Sequence, residues 1–461
     1  MRIFIQLVLD FFIAAVAIQA ACRIRPVYFS ADGELYFLTA VSVVIFAAAV
    51  VFSSFLIDVY DDSGKFRKRE ILARVMLAGL TSCLPIAVVY MLAPCMLPEK
   101  KTVLVAIVLF SCGQFLLRLL LNAVKLPQRI LILGTGNFAL EANEIAANGA
   151  KKVEIVGFVS CLAETEALAE MEARSGKVFE RVDPSLVVGD AENLPELVQQ
   201  QKADAVLVAL SERRGVLPVK EMLLCKMRGV EILDVPTFYE QAYRKLMLEQ
   251  ITPSWFLFSS GFRRTTIFVA FKRFLDIVLA LIGLAFTLPF FPLIALIIKL
   301  DSSGPLFFSQ IRTGLFERTF RLYKFRTMRQ DAEKGTGAVW STENDPRITK
   351  VGAFLRKSRI DEFPQFYNVL RGDMSFVGPR PERPEFVEKL KLVIPYYSKR
   401  HFVKPGLTGW AQVCYPYGST VEDAVEKLRY DLYYTKNLSP FIDLLIVLET
   451  IKVVIFGRGG R

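Results

Sequence analysis

Histidine is almost absent from this sequence, because His401 is the only one among 461 residues. A zinc hydrolase with an HExxH helix needs two histidines, and a Ser-His-Asp hydrolase would have no choice of base. Metal sites rich in histidine are excluded for the same reason. Catalysis is therefore expected to depend mainly on carboxylates and cations, with a metal ion as the remaining option.

Paired cysteines are also missing. The seven cysteines are scattered, and no two of them form a CxxC pair. A disulfide framework or a zinc site is therefore not expected. The net charge of +11 comes from lysines and arginines that flank apolar stretches, without a separate basic tail. This placement favours lipid headgroups and phosphate ligands over nucleic acid as partners.

Apolar residues are in excess, since they make up 53% of the chain and are clustered. Four apolar runs occupy the first quarter, at 3–20, 35–57, 71–97 and 102–124. Each is long enough to cross a hydrocarbon core of about 30 Å at about 1.5 Å per residue. The loops expected in the cytoplasm hold more cations, namely Lys65, Arg67, Lys68 and Arg69 after the second run and Lys125 and Arg129 after the fourth. The positive-inside rule then predicts a four-helix transmembrane region over 1–127 with both ends cytoplasmic.

Two further features of this region concern its processing and its charges. The first run is interpreted as a retained membrane helix, because no small-residue cleavage site follows it. Asp10 and Arg118 lie inside apolar runs, where a charge is costly. They are expected to pair or to extend to the interface, and no function is assigned to them.

A change of pattern at Gln128 predicts a second domain over 128–250. Short apolar runs at 129–133, 153–159, 205–210 and 230–235 alternate with helical stretches such as 191–201 and 217–228, which predicts a Rossmann-like, doubly wound parallel sheet. Gly134, Gly136 and Ala139 follow the first strand in the spacing of a dinucleotide loop. The second strand has no acid at its end for a ribose, and Glu164 is the nearest. Nucleotide binding stays open, but a structural or regulatory module is favoured.

A fifth apolar segment, at 274–300 within a linker region at 251–300, is interrupted by Pro289 and Pro292. Proline kinks a helix, and both flanks of this segment are basic, as cytoplasmic flanks are. A re-entrant helix that enters one leaflet and returns is therefore favoured over a span. Lys272 and Arg273 stand one helical turn before Asp276, a spacing at which either can pair with it. This cluster is either a positive anchor or a site for a lipid phosphate.

The remaining region, 301–461, carries the strongest candidate site. Asp361 and Glu362 are adjacent acids in a stretch rich in arginine and lysine, about 60 residues after the apolar segment. Carboxylates hold a divalent cation or attack phosphorus, and arginine matches phosphate oxygens. If the dyad is helical, the Glu362 side chain should point away from that of Asp361. The stretches 390–402 and 441–456 have the pattern of amphipathic interfacial helices, although a core helix is equally consistent with the second.

Five motifs occur in an order that is similar to one known family. They are KFRTM at 324–328, DPRIT at 345–349, LRKSRIDEFPQ at 355–365, GDMSFVGPRP at 372–381 and KPGLTGWAQ at 404–412. The chain resembles the bacterial sugar transferases, the monotopic phosphoglycosyl transferases, in their large form with four membrane helices and a Rossmann-like domain. The resemblance covers essentially the whole chain, and it implies a small α/β catalytic domain over 301–461.

The resemblance also implies an activity. Such enzymes transfer a sugar-1-phosphate from a UDP-sugar to undecaprenyl phosphate at the cytoplasmic face of the inner membrane and release UMP. This step begins exopolysaccharide, capsule or O-antigen synthesis. Asp361 would be the nucleophile, and Asp361 or Glu362 would hold Mg²⁺. Glu362 is a second catalytic candidate, and its role as a metal ligand or as a helper base stays open. Phosphate oxygens would be bound by Lys324, Arg326, Arg356 and Arg380. A homodimer is expected to be possible.

Three alternatives stay open. A membrane-anchored nucleotide-sugar dehydratase or epimerase would share the helices and the sheet, but none of the fifteen tyrosines has a lysine four positions later. A nucleotide-sensing scaffold for polysaccharide assembly would leave the downstream acid and arginine motifs unexplained. A conventional glycosyltransferase would release UDP rather than UMP.

Overall fold

The computed structural model describes residues 2–455 apart from 25–39, 58, 61–67, 125–126, 150–152, 177–179, 211–216, 252, 260, 263, 331, 333–344, 417 and 419. The chain divides into two compact units, Met1–Phe238 and Tyr239–Arg461. Among the predicted loop cations, Lys65, Arg67 and Lys125 lie outside the described residues.

The first unit begins with four apolar helices, as predicted. They are α1 (Arg2–Ile24), α2 (Ala40–Leu56), α3 (Lys68–Leu92) and α4 (Lys100–Val124). Three contain stretches that are long and apolar enough to cross a membrane, Ile5–Ile24, Ile71–Leu92 and Lys100–Leu121. The described part of the second helix, α2, is 17 residues long and strongly apolar. Large apolar side chains point outward, including Phe12, Leu84 and Leu120, which suits helices whose outer surface faces lipid.

Polar side chains inside this bundle are paired. Arg118 Nη2 lies 2.7 Å from Asp10 Oδ2, and both residues are buried. Gln114 donates to the same carboxylate oxygen at 2.5 Å and to the Ser54 hydroxyl at 3.1 Å. The expected pairing of the two charges is therefore confirmed, and it ties α1 to α4 because an isolated charge is costly in an apolar medium.

The rest of the first unit contains a five-stranded parallel sheet. Its elements are β1 (Gln128–Leu133), α5 (Asn137–Asn148), β2 (Val153–Ser160), α6 (Leu162–Ser175), β3 (Val187–Asp190), α7 (Leu194–Gln200), β4 (Ala205–Val208), α8 (Val219–Met227) and β5 (Glu231–Asp234). The strand order is β3-β2-β1-β4-β5. The central strand β1 is buried from Ile130 to Leu133, as its uninterrupted apolar run predicts. Strand β3 was not predicted, because it is four residues long and contains a glycine and an aspartate.

The second unit contains the interrupted apolar segment. After α9 (Val235–Tyr243) and α10 (Pro253–Phe258), α11 (Thr266–Thr287) is followed by a 3₁₀ turn at Leu288–Phe290 and by α12 (Phe291–Asp301). The predicted interruption is therefore present. Pro289 lies in the turn, and Pro292 lies at the start of α12, where its missing N–H costs little. Thr265 begins α11 by accepting a hydrogen bond from the Phe268 N–H.

Small strands and helices complete this unit. They are β6 (Phe307–Thr313), β7 (Thr319–Phe325), α13 (Lys350–Lys357), α14 (Gln365–Arg371), β8 (Ser375–Val377), α15 (Pro384–Val393), β9 (Gly406–Thr408), α16 (Trp410–Cys414), α17 (Val421–Lys436) and α18 (Pro440–Ile455). Strands β6 and β7 form an antiparallel hairpin, and β8 pairs with β9 in parallel. Both halves of the apolar segment pack onto this unit, since Ala280 shares a core with Phe366, and Ile298 shares one with Phe325.

The prediction of one amphipathic helix over 390–402 is wrong. Helix α15 ends at Val393, and Tyr396 adopts a left-handed conformation before a 3₁₀ helix at Tyr397–Phe402. The physical reason is Pro395, which cannot supply the N–H that a continuous helix needs. The prediction of a helix near 441–456 is confirmed by α18.

Candidate active site

Asp361 and Glu362 lie on a short 3₁₀ turn, Ile360–Glu362, between α13 and α14. Arg359 precedes the turn in a left-handed conformation, with φ of 61°. The two acids are 5% and 8% exposed, which is unusual because buried carboxylates are costly unless paired. Phe363, the next residue, packs against both apolar cores that the interrupted apolar segment shares with this unit. The acids are therefore held next to the contact between that segment and the rest of the unit.

Both carboxylates face Lys324 on β7. Its Nζ lies 2.8 Å from Glu362 Oε1 and 3.6 Å from Asp361 Oδ2. The expectation that Glu362 points away from Asp361 is therefore wrong. The dyad occupies a tight 3₁₀ turn rather than the interior of an α-helix, and one long lysine side chain reaches both acids.

Two arginines complete the environment of Glu362. Arg380 Nη2 is 3.0 Å from Glu362 Oε1, and Arg359 Nη1 is 3.9 Å from the same oxygen. Three cations therefore lie within 3.9 Å of one oxygen of Glu362. Asp361, in contrast, has Lys324 as its near partner. Arg359 was not among the predicted site residues, although its spacing of three before Glu362 is a signal that sequence reasoning could have used.

The surroundings shift the pKa values of the two acids in opposite directions. Burial raises the pKa of Asp361, and Lys324, Arg356 and Arg380 only partly oppose that effect. Burial would also raise the pKa of Glu362, but the charges of Lys324, Arg380 and Arg359 together outweigh it and hold this pKa well below its usual range. Such a separation is how neighbouring carboxylates acquire different roles.

Asn368 on α14 fixes Lys324 relative to the dyad. Its Oδ1 accepts a hydrogen bond from the Tyr323 N–H at 3.1 Å, and its Nδ2 donates to the Arg321 carbonyl at 2.7 Å. The amide therefore binds the edge of β7 as a neighbouring strand would. Asn368 has no exposed surface, so this contact holds β7 and α14 in one register.

The DPRIT turn braces the end of the same strand. Arg347 Nε and Nη2 donate to Asp345 Oδ1 and Oδ2 at 2.8 and 2.5 Å, and hydrogen bonds from Arg347 lower the pKa of Asp345 to about 2. The Thr349 N–H then binds the Thr327 carbonyl. The Thr349 hydroxyl accepts from the Gly352 N–H and so begins α13. The turn thus sets the entry to the helix that precedes the dyad.

The remaining predicted phosphate ligands are placed differently. Arg356 lies in the last turn of α13, and its charge reaches Asp361. Arg326 is buried and donates to the Ser302 carbonyl at 2.6 Å and to the Ser302 hydroxyl at 3.1 Å. The structure therefore brings Lys324, Arg356 and Arg380 to the dyad, whereas Arg326 ties the end of β7 to the residues after α12.

At the start of the interrupted apolar segment, the direct contacts of Lys272, Arg273 and Asp276 are to residues distant in the sequence. Lys272 binds Asp443 on α18 at 2.6 Å. The guanidinium of Arg273 binds the last carbonyls of α14. Asp276 accepts from the Ser375 hydroxyl at 2.9 Å and the Phe376 N–H at 2.8 Å. Each of these contacts joins the start of the segment to a part of the unit that is distant in the sequence, and the charge of Lys272 still acts on the buried Asp276.

In the first unit, the carboxylate of Glu164 binds a backbone amide of the glycine loop. Gly134 has a φ of 124°, and a Cβ there would lie 2.7 Å from the Ala209 carbonyl oxygen. Gly136 precedes α5, and Ala139 is buried in it. The fully buried Glu164 accepts a hydrogen bond from the Thr135 N–H at 3.1 Å. A carboxylate therefore binds a loop amide of the kind that holds phosphate in dinucleotide sites.

The side chains near the dyad offer few ligands for a divalent cation. Among the residues that the structure describes, no group of three or more His, Cys, Asp or Glu side chains could hold a metal. Mg²⁺ commonly takes only one or two protein carboxylates and completes its shell with water and substrate phosphates. Asp361, which has Lys324 as its near partner, fits that pattern, and Glu362 fits it less well because three cations already surround one of its oxygens.

Two buried acids lie against a lysine and an arginine, in the same unit as a segment of 36 residues that is apolar enough to lie in a membrane. Residues 267–457 match the family model described as Bacterial sugar transferase. The chain is 46% identical over 195 residues to a UDP-N-acetylgalactosamine-undecaprenyl-phosphate N-acetylgalactosaminephosphotransferase of Aeromonas hydrophila, a match that covers 42% of this chain and 46% of that protein.

Two other relatives give the same family. A UDP-glucose:undecaprenyl-phosphate glucose-1-phosphate transferase of Xanthomonas campestris pv. campestris is 37% identical over 274 residues, covering 58% of this chain and 56% of that protein. An exopolysaccharide production protein of Rhizobium leguminosarum bv. phaseoli is 42% identical over 185 residues, covering 39% of this chain and 92% of that protein. The chain belongs to the bacterial sugar transferase family. Its matches span about half the length of the first two relatives, 46% and 56%.

Proposed function

We propose that this protein transfers a sugar-1-phosphate from a UDP-sugar to undecaprenyl phosphate and releases UMP. The observation that carries the proposal is the buried Asp361 beside Glu362, held against Lys324 and Arg380 in the part of the chain that matches the family. Two relatives are named as transferases that join a sugar phosphate to undecaprenyl phosphate, and this supports the reaction class. The product would enter exopolysaccharide, capsule or O-antigen synthesis.

In the proposed mechanism Asp361 is the nucleophile. One of its carboxylate oxygens attacks the phosphorus that bears the sugar, and the bond from that phosphorus to the UMP oxygen breaks. An oxygen of undecaprenyl phosphate then attacks the same phosphorus and releases Asp361 as a carboxylate. Two anionic substrates repel each other, so a covalent relay that admits them in turn lowers that cost.

The cations and Glu362 have supporting roles in this proposal. Lys324 and Arg380 would stabilise negative charge on the phosphoryl oxygens, because each is a fixed donor in a buried site. Glu362 keeps both cations in place through its contacts of 2.8 and 3.0 Å. Its low pKa keeps it ionised, so it serves as an anchor and not as a proton donor.

We propose Mg²⁺ as the cofactor, with Asp361 as its protein ligand and Glu362 as the less suited candidate. When bound, the ion would neutralise charge on the pyrophosphate of the donor. Burial raises the pKa of Asp361, and a bound cation would oppose that effect by favouring the charged form that both ligation and attack require.

We further propose that Thr266–Asp301 is re-entrant and that both flanks are cytoplasmic. The segment has 36 residues, about 54 Å as a straight helix against a core of about 30 Å. A 3₁₀ turn interrupts it near the middle, and its two halves pack onto the same unit. Such a path would hold the dyad at the headgroup plane, where the lipid phosphate lies.

The test is lipid-dependent nucleotide release. Purified protein with Mg²⁺, undecaprenyl phosphate and each of several UDP-sugars should yield UMP with at least one sugar. Asp361→Asn should abolish release, by at least a factor on the order of a thousand, while the protein stays folded. Glu388→Gln, the same kind of change at an exposed acid, is the matched control and should keep full activity.

Other outcomes would redirect the proposal. Release of UDP instead of UMP would mean sugar transfer without phosphate and would remove the role of Asp361. Full activity of the folded Asp361→Asn variant would do the same. Neither nucleotide with any sugar would favour another donor or the scaffold alternative.

A further inference from the structure

We propose that Arg400 is a positioning residue that holds the main chain of Arg380 and thereby keeps the Arg380 guanidinium on Glu362. The inference rests on the proposed function, because it concerns a cation of that active site. Arg400 donates to the Arg380 carbonyl at 3.1 Å, so it acts on the site through the backbone of another residue. Nothing in the sequence pattern had assigned it a role.

The segment that carries Arg380 is fixed through its carbonyl oxygens. Pro379 and Pro381 flank Arg380 and have no N–H to donate. Four consecutive carbonyls each accept one hydrogen bond, and the pairs are Gly406 N–H to Pro379 at 2.9 Å, Arg400 Nη2 to Arg380 at 3.1 Å, Arg312 Nη1 to Pro381 at 3.2 Å and Thr313 N–H to Glu382 at 2.9 Å. Arg400 supplies the bond on Arg380 itself.

Arg400 is in turn held on two other sides. Its Nη1 donates to the Tyr397 hydroxyl at 2.6 Å, and its Nη2 lies 2.7 Å from Asp431 Oδ2 on α17. Arg400 is 5% exposed and Asp431 is 1% exposed. Leaving one member of a buried ion pair without its partner strongly destabilises a protein. The guanidinium is therefore held beside Asp431. That position presents Nη2 to the Arg380 carbonyl.

Only arginine can make this set of contacts. Its planar fork donates from Nη1 to a hydroxyl and from Nη2 to a carbonyl while Nη2 also lies beside a carboxylate, whereas the ammonium of lysine is a single centre on a shorter side chain. Arg380 Nη2 lies 3.0 Å from Glu362 Oε1, and a displacement of about 1 Å at such a contact is costly for catalysis. Arg400→Lys should therefore remove the hydrogen bond to the Arg380 carbonyl and weaken the contact between the Arg380 guanidinium and Glu362.

The first experiment reads the position of Arg380 without turnover. Full-length protein is treated with an arginine-specific dicarbonyl reagent, and modification is quantified by peptide mass spectrometry. The Arg380 side chain is 34% exposed, so it is accessible to the reagent. Arg400→Lys should raise its modification rate several-fold relative to Arg371, which is 56% exposed. An unchanged rate at Arg380 would overturn the proposal, whether or not the enzyme proves active.

The second experiment is a double-mutant cycle on lipid-dependent UMP release. Arg400→Lys should lower kcat/KM by roughly tenfold to a hundredfold. In an Arg380→Ala background it should add less than about twofold, because its effect passes through Arg380. Losses that multiply independently would mean that Arg400 has only a general structural role. Arg371→Lys is the control and should keep wild-type activity.

A milder variant covers the case in which Arg400→Lys does not fold. Tyr397→Phe removes one hydrogen bond to Arg400 and keeps the ring, so a smaller rise in Arg380 modification is expected. No rise in this folded variant would count against the proposal. Absence of UMP from the wild-type protein would refute the proposed function instead, and the modification rates would still decide the position of Arg380.

Discussion

At the scale of single residues, the site depends on the contrast between two adjacent acids. Glu362 is surrounded by cations that hold its pKa low, whereas burial raises the pKa of Asp361. A nucleophilic carboxylate must be ionised, so the proposed activity is present above the pKa of Asp361 and lost as pH falls through it. Lys324 matters because its charge lowers that pKa.

Lys324→Met should move the acid side of the pH profile toward higher pH. Without the ammonium 3.6 Å from Asp361 Oδ2, the pKa of Asp361 rises further, and a larger fraction is protonated at a given pH. Activity at pH 7 should also fall by a factor on the order of a hundred, since a fixed electrostatic donor is lost. The measurement is kcat/KM against pH, with Lys391→Met as control because Lys391 pairs with Glu317 and Glu388. An acid side that stays at the same pH would contradict this account of Asp361.

Sequence reasoning found the dyad, Lys324 and Arg380, but it did not find how they meet. Lys324 and Glu362 are 38 positions apart, and their contact depends on the docking of β7 against α14. Arg400 and Asp431 carry no local pattern at all, because their pairing is fixed by the tertiary packing of α17. Spacing allowed a pair between Lys272 and Asp276, but it could not show that the direct contact of Lys272 is to Asp443, which is 171 positions away.

At the scale of elements, Asn368 joins the strand and the helix that carry the site. Asn368→Ala should leave the Tyr323 N–H and the Arg321 carbonyl without this partner inside the protein. Losing both bonds should lower the free energy of unfolding by about 2–4 kcal/mol and reduce activity, because Lys324 is no longer held at the dyad. Thermal unfolding and UMP release measure the two effects, with the exposed Tyr367→Phe as control. Unchanged stability and activity would refute the joining role.

Some helices and strands could be predicted from the sequence, and others could not. The four apolar helices were predicted from long apolar runs, which are either buried or in contact with lipid. Strand β1 was predicted from a short, uninterrupted apolar run followed by a glycine loop. Strand β3 is too short to give a pattern, and the break after Val393 follows from a single proline whose effect was overlooked. The glycine loop was correctly placed between a strand and a helix, but the contact of Glu164 with Thr135 depends on tertiary structure.

At the scale of the whole molecule, the path of the membrane segment is the main structural prediction. Changing both Pro289 and Pro292 to alanine should favour a straight helix, which is long enough to span. A reporter fused after residue 461 should then move, in part, from the cytoplasmic to the outer side. Pro98→Ala, outside this segment, is the control. A reporter that stays fully cytoplasmic in the double variant would show that the prolines do not set the path. The homodimer remains a prediction.

The anchoring of this segment limits how the protein can be shortened. Asp276 accepts two hydrogen bonds from β8, Lys272 binds Asp443, and Ile298 packs on Phe325. A water-soluble fragment made by deleting everything before residue 302 would leave Asp443 without its lysine and would expose the cores that α11 and α12 cover. Preparations of this unit therefore need the segment and a detergent or lipid to surround it, and truncation removes part of the fold together with the anchor.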